Sequence, residues 1–224
     1  MDEIDIKVEA LSWVRRACRG RPLPVVTSEF SLNGTGIRAD LAILGETFCG
    51  IEIKSAADTL KRLPSQMEGY ARYFDQTMLI IAPKHERGLS KLDLKQTEVW
   101  VQEARGTHRQ IRSGAMTRAP GHTLLGLLTI QEERRAYRAA QGRKETSAEY
   151  DPYRSEFEAA FRCRYQGTSE AFWNAVKGRI IRREDLRLLS RFYPERQRAQ
   201  EASAAEGKKW LQWTQQMNAL APAL

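Results

Sequence analysis

The chain has 224 residues, enough for one full hydrophobic core and a smaller second lobe. Its 42% hydrophobic and 29% charged content excludes a disordered chain, and apolar runs no longer than Met78 to Ala82 or Leu124 to Leu128 exclude membrane-spanning helices. The net charge of +8 points to polyanionic partners, and the acidic start Met1-Asp2-Glu3-Ile4-Asp5 reads against a secretory leader, so a cytoplasmic protein is expected.

Ile4, Val8, Leu11, Val14 and Cys18 recur at spacings of three and four, which predicts an amphipathic helix over 3–18 that Gly20 and Pro22 end. Val25 to Leu32 is β-branched and stops at the turn pair Asn33-Gly34. Strands follow over Ile37 to Leu44 and Phe48 to Lys54, joined by Gly45-Glu46-Thr47. Ser55 and Asp58 resemble a helix start, and Pro64 suits the first turn of a helix running to Phe74. Met78 to Ala82 is an apolar run suited to a strand covered on both faces, and Val99 to Val101 is a further strand. Helices packed on a sheet are expected, an α/β fold.

The stretch 106–122 is rich in Arg, Thr, Ser and Gly and reads as a linker or mobile loop between a core over 1–105 and a helical region over 123–224. In that region Leu124 to Ala140, Tyr153 to Tyr165, Ser169 to Lys177, Arg183 to Phe192 and Glu195 to Met217 favour helix. Gly142, Gly167, Gly178 and Pro194 are expected in the loops. Arginines cluster at Arg134-Arg135, Arg162, Arg164, Arg182-Arg183, Arg187, Arg191, Arg196 and Arg198. They interleave with Phe161, Tyr165, Phe172, Trp173, Phe192, Tyr193, Trp210 and Trp213. Such a surface neutralises phosphates and stacks on bases, or else the aromatics fill a core and the arginines pair with glutamates; for most of the aromatics the core reading is preferred. The region suits clamping DNA, a homodimer contact, or a protein partner.

The three cysteines are widely spaced and odd in number, and His85, His108 and His122 lack a ligand spacing. Neither a disulfide framework nor zinc is expected, and the histidines are assigned to surface or loop positions.

The segment that carries chemistry is the hairpin Arg38-Ala39-Asp40 to Ile51-Glu52-Ile53-Lys54. Alternation puts Glu52 and Lys54 on one face and Ile51 and Ile53 on the other. A three-residue loop pairs Leu44 with Phe48 and so sets Asp40 opposite Glu52, with Cβ atoms roughly 4.5–5.5 Å apart. Two carboxylates that close need a shared proton or a cation between them, and hard oxygen ligands suit Mg²⁺. An E-x-K triplet by itself is common. What gives this one weight is the set of polar residues interrupting an otherwise apolar strand. Gln66 and Tyr70 lie one helical turn apart and share a face; the bland alternative is a helix that simply packs on the sheet.

Asp40 followed by Glu52-Ile53-Lys54 resembles the PD-(D/E)XK nuclease signature, and Gln66-Met67-Glu68-Gly69-Tyr70 matches the Q-x-x-x-Y element of its RecB-like branch. Together with Ser55, Asp58-Thr59-Leu60, Arg62-Leu63 and Phe74-Asp75, the string is similar to the sce7726-type subfamily of bacteria and phages over roughly residues 1–105. Ala39 stands where the signature has proline. The resemblance implies a restriction-endonuclease-like core and a Mg²⁺-dependent deoxyribonuclease, with Mn²⁺ able to substitute. By it, Asp40 and Glu52 bind the metal, Lys54 positions or activates the attacking water, and Gln66 and Tyr70 orient the lysine or the substrate backbone. A further acidic ligand is expected from Glu29 or Glu9, with Glu29 preferred. The competing expectation is a nucleic-acid-binding or protein-interaction module that keeps the fold without turnover.

Overall fold

The expected local patterns resolve into a mixed sheet with helices on both faces. In the computed structural model, which describes residues 1–141, 143, 151–190, 206, 210 and 213, the chain divides into two compact units, Met1–Ser190 and Arg191–Leu224. Helix α1 (Glu3–Ala17) starts where the Asp2 side chain accepts from the Asp5 backbone N–H and ends ahead of Gly20, whose φ is 76°. Strands β1 (Val25–Leu32), β2 (Ile37–Leu44) and β3 (Phe48–Lys54) form an antiparallel meander, and the register pairs Leu44 with Phe48 as expected. Helix α2 (Leu63–Tyr73) returns the chain so that β4 (Gln76–Ile81) runs parallel to β3. A short helix α3 (Glu86–Leu89) leads to β5 (Glu98–Ala104), parallel to β4, and β6 (Thr107–Arg112) closes the order β1-β2-β3-β4-β5-β6.

Each sheet face has its own apolar cluster. Ile51 and Ile53 pack with Ile6 and Leu11 of α1, whereas Phe48 packs with Leu63, Met67, Tyr70 and Phe74 on the α2 side. Helices α4 (Gly121–Leu125) and α5 (Ile130–Gln141) lead into the 24-residue α6 (Pro152–Ala175). Phe157, Phe161 and Tyr165 of α6 join the α2-side cluster, and Phe172 and Trp173 join the α1-side cluster. The helix thereby covers the β1 edge: Ser169 accepts from the Val26 N–H at 3.0 Å, and Trp173 Nε1 donates to the Pro24 carbonyl at 2.9 Å. An exposed edge would otherwise offer unpaired backbone groups to other chains.

Several expectations are corrected. The stretch 106–122 is no linker: residues 107–112 pair as an edge strand, and Thr117 and Ala119 donate backbone N–H groups to Asp75. The boundary near 105 also falls away, because the helical region up to Ser190 shares the first unit's cores. Its strongest tie is Arg154 of α6 on Asp75, both 3% exposed, with guanidinium nitrogens 2.9 and 2.5 Å from the carboxylate. Leu124 to Ala140 is two helices rather than one. Tyr153 to Tyr165 and Ser169 to Ala175 belong to a single helix through Gly167, which ends two residues short of the expected Lys177; aromatic packing on both sides outweighs the roughly 1 kcal/mol penalty of a helical glycine.

Arg183–Leu189 is 3₁₀ rather than α. Ser55 and Asp58 close a local turn, and α2 begins only at Leu63. His85 is buried, not a surface group: Nε2 donates to the Ser55 carbonyl at 2.9 Å and pins the exit of β3. Phe161, Tyr165, Phe172 and Trp173 fill cores, as preferred. The expected helix over 195–217, with Phe192, Tyr193, Arg191, Arg196 and Arg198, lies outside the described residues, apart from Glu206, Trp210 and Trp213. The rings of Trp210 and Trp213 are 5.1 Å apart. Among the described residues no helix is long and apolar enough to cross a membrane.

Candidate functional site

The alternation of β3 delivers Glu52 and Lys54 to the α2 face, where both are buried at 2% and 6% exposure. Two ionisable side chains this deep need partners, and they have them. Glu52 Oε1 accepts from Lys54 Nζ and from Gln66 Nε2, each at 2.6 Å, and Oε2 accepts from the Tyr70 hydroxyl at 2.6 Å. Gln66 and Tyr70 do share one helix face, as their spacing predicts, and that face looks onto Glu52. Burial and the charges of Glu52 and Asp40 push the Tyr70 hydroxyl well above its ordinary pKa, so it stays a donor.

Asp40 enters differently from the expected flat pair. The β2–β3 ladder ends at Leu41 and Ile51, one step before Asp40 would face Glu52. The strands part there, and the Asp40 carboxylate fills the gap: Oδ2 accepts from the Ile53 N–H at 2.7 Å. Continued pairing would have set Ala39 across from Ile53, so Asp40 replaces a backbone acceptor. Asp40, Glu52 and Lys54 all line one cleft of about 510 Å³. Burial, then the charge of Glu52, pushes the Asp40 carboxyl up to about 7, even though Lys7 and the Ile53 N–H pull the other way.

Residues that sequence reasoning passed over complete the site. Lys7 of α1 is buried with Nζ 2.7 Å from Glu3, 2.5 Å from Glu29 and 3.4 Å from Asp40. Burial works against its charge, but Asp40, Glu29 and Glu3 outweigh it and keep the ammonium protonated far above the ordinary lysine range. Lys7 shares the apolar stripe of Leu11, Val14 and Cys18 at spacings of four and three. A lysine interrupting that stripe, one turn after Glu3, was the available signal. Carboxylate oxygens of Glu3, Glu29 and Asp40 lie within 4.8 Å of one another.

Glu29 lines the same cleft as Asp40 and Glu52. It holds a φ of 55°, a conformation that costs a non-glycine residue on the order of 1–3 kcal/mol and clusters at functional sites. Glu9, the alternative, is not in the site. Its Oε2 accepts from Gln102 at 3.0 Å and from the Gly106 N–H at 2.7 Å, because that side of α1 packs on β5 and the β5–β6 turn.

The donor set fits a hard divalent ion. Five carboxylates (Glu3, Glu29, Asp40, Glu52, Asp58) line the cleft against the cations Arg38, Lys54 and Arg62, and the buried Gln66 Oε1 has no hydrogen-bond partner among the described residues. The carboxylates outnumber the cationic side chains, and carboxylate oxygens are the ligand type that Mg²⁺ or Mn²⁺ prefers.

The chain belongs to the bacteriophage P4 protein cII family, whose sequence profile matches residues 1–190. Protein cII of Enterobacteria phage P4 is 29% identical over 89 residues, which are 40% of this chain and a third (33%) of that protein's length. A protein of unknown function from Silicibacter pomeroyi superposes with a TM-score of 0.38 at 20% identity, covering 62% of this chain and 93% of its own.

Proposed function

We propose that this member of the P4 protein cII family is a divalent-metal-dependent nuclease of the PD-(D/E)XK kind that hydrolyses phosphodiester bonds in DNA. The observation that carries the reading is the buried Glu52 carboxylate, held by Lys54, Gln66 and Tyr70 beside Asp40 in one cleft. A purely structural hairpin gains nothing from two buried acids, because each costs desolvation free energy.

Asp40 and Glu52 are the residues that would hold the ion, which supplies Lewis-acid charge at the phosphate and a more acidic water. Lys54 has three N–H donors, of which Glu52 uses one, leaving the others for the attacking water or a phosphate oxygen. Gln66 and Tyr70 fix the Glu52 carboxylate from the α2 side, so neither reacting group has to reorganise. Arg38 and Arg62 line the same cleft and suit the substrate backbone. Farther out, Arg134, Arg135 and Arg138 are exposed along one face of α5, a surface suited to additional phosphates.

The test is incubation of the purified full chain with plasmid, linear and single-stranded DNA, and with RNA, in Mg²⁺ or Mn²⁺. Cleavage lost in EDTA and in Asp40→Ala and Lys54→Ala supports the proposal, and equal activity in those variants refutes it. Salt-sensitive binding with no cleavage under any condition would instead favour a non-catalytic nucleic-acid-binding module.

A further inference from the structure

We infer that Lys7 is a positioning residue that fills one of two adjoining cation subsites with its own ammonium, so that the site takes a single divalent ion. This rests on the metal-dependent reading of Asp40 and Glu52 and adds a cation count to it. Asp40 is the shared member. Its Oδ2 is fixed by the Ile53 N–H, and its Oδ1 lies 3.4 Å from Lys7 Nζ. Within the cleft Asp40 meets the charge of Glu52 and also lies beside Glu3 and Glu29, the two acids that Lys7 holds from α1.

A lysine ammonium has three donors and no acceptor, and here three carboxylates surround it. Oxygens of three acids within 4.8 Å of one another could together hold a divalent ion, and here a lysine side chain that is 8% exposed sits among them. The arrangement is also built rather than incidental. Lys7 is anchored on α1 between buried Ile6 and Val8, and Glu29 adopts a left-handed backbone to reach it. One resident positive charge supports Asp40 on one side and leaves only the Asp40–Glu52 side for an exchangeable cation. A protein that used two metals here would not spend a buried lysine on the ligands of one of them.

The experiment counts Mn²⁺ bound per full-length chain, by electron paramagnetic resonance of free Mn²⁺ and by calorimetry, without DNA. Wild type and Lys7→Arg are expected to bind one ion. Lys7→Met is expected to bind two, and Lys7→Met combined with Glu29→Gln one again, with thermal melts confirming folded protein. Two ions on wild type, or one on folded Lys7→Met, would overturn the inference while leaving the nuclease reading intact. No ion on wild type at millimolar Mn²⁺ would overturn the metal-dependent reading itself. If Lys7→Met does not fold, Glu3→Gln and Glu29→Gln in the wild-type background decide. Each is expected to keep one ion, and a loss of affinity of about tenfold or more would show that these acids, not Lys7's partners alone, hold the metal.

Discussion

Replacing Asp75 with alanine should destabilise the Met1–Ser190 unit severely, although Asp75 lies outside the proposed active site. Its carboxylate accepts from the Phe48 N–H at 2.7 Å, from the Ala119 N–H at 2.9 Å, and from both terminal nitrogens of Arg154. Truncation leaves a buried guanidinium and two buried N–H groups without that acceptor. Breaking a buried pair of this kind costs about 3–5 kcal/mol. Each kcal/mol moves Tm by about 2–4 °C in a domain of this size, so a fall of roughly 6–20 °C is expected. Urea titration followed by tryptophan fluorescence gives the free energy directly.

The pH dependence has a definite sign. Burial alone would raise the Asp75 carboxyl, but the Arg154 and backbone donors outweigh it and hold it below its ordinary value of 3.8. The stabilisation is therefore fully present above that value and is lost as pH falls through the lower folded value. The penalty of Asp75→Asn should stay constant through neutral pH and shrink only in acid. A cost under about 1 kcal/mol for Asp75→Ala would refute the claim that α6 is integral to the core. So would additivity with Arg154→Met in a double-mutant cycle.

Tyr70→Phe removes a 2.6 Å hydroxyl donor from the buried Glu52 carboxylate and should cost about 1.5–3 kcal/mol in urea unfolding; no measurable loss would contradict the geometry. Asp40→Asn should gain on the wild type as pH rises in EDTA, because folded wild type holds the Asp40 proton up to about 7 and loses stability as pH climbs toward that value. The shift approaches about 1.4 kcal/mol per pH unit at most, and a difference between the two that stays flat from about pH 5 to 8 would refute it. Gly50→Ala places a methyl on the buried Phe74 ring, which Phe48 backs at 4.6 Å, so overpacking should cost about 1–3 kcal/mol by thermal melt, and a neutral result would show that the ring moves freely.

What the sequence made legible was local. The β1–β3 meander, the Leu44–Phe48 register, the common face of Glu52 and Lys54 and the shared face of Gln66 and Tyr70 all follow from periods of 2 and 3.6 and from short loops. What it hid depends on contacts distant in sequence. Lys7 and Glu3 reach the site only because α1 packs on the sheet over β3, which brings Lys7 to Glu29 and Asp40, and a helix face carries no mark of which strand it will meet. The parting of β2 from β3 at Asp40 was hidden as well, since ideal register continues a ladder that the structure stops. Composition misled at 106–122, where polar residues suit an edge strand as well as a linker, and at Gly167, where tertiary packing carries the helix through.

The most direct measurement is the single-turnover cleavage rate of a DNA duplex by Lys54→Met beside wild type in Mg²⁺, with DNA affinity measured in parallel. A fall of about 10²–10⁴-fold in rate at unchanged affinity is expected for a group that handles the attacking water. A folded Lys54→Met protein cleaving at the wild-type rate would contradict the assignment of Asp40, Glu52 and Lys54 as a hydrolytic centre.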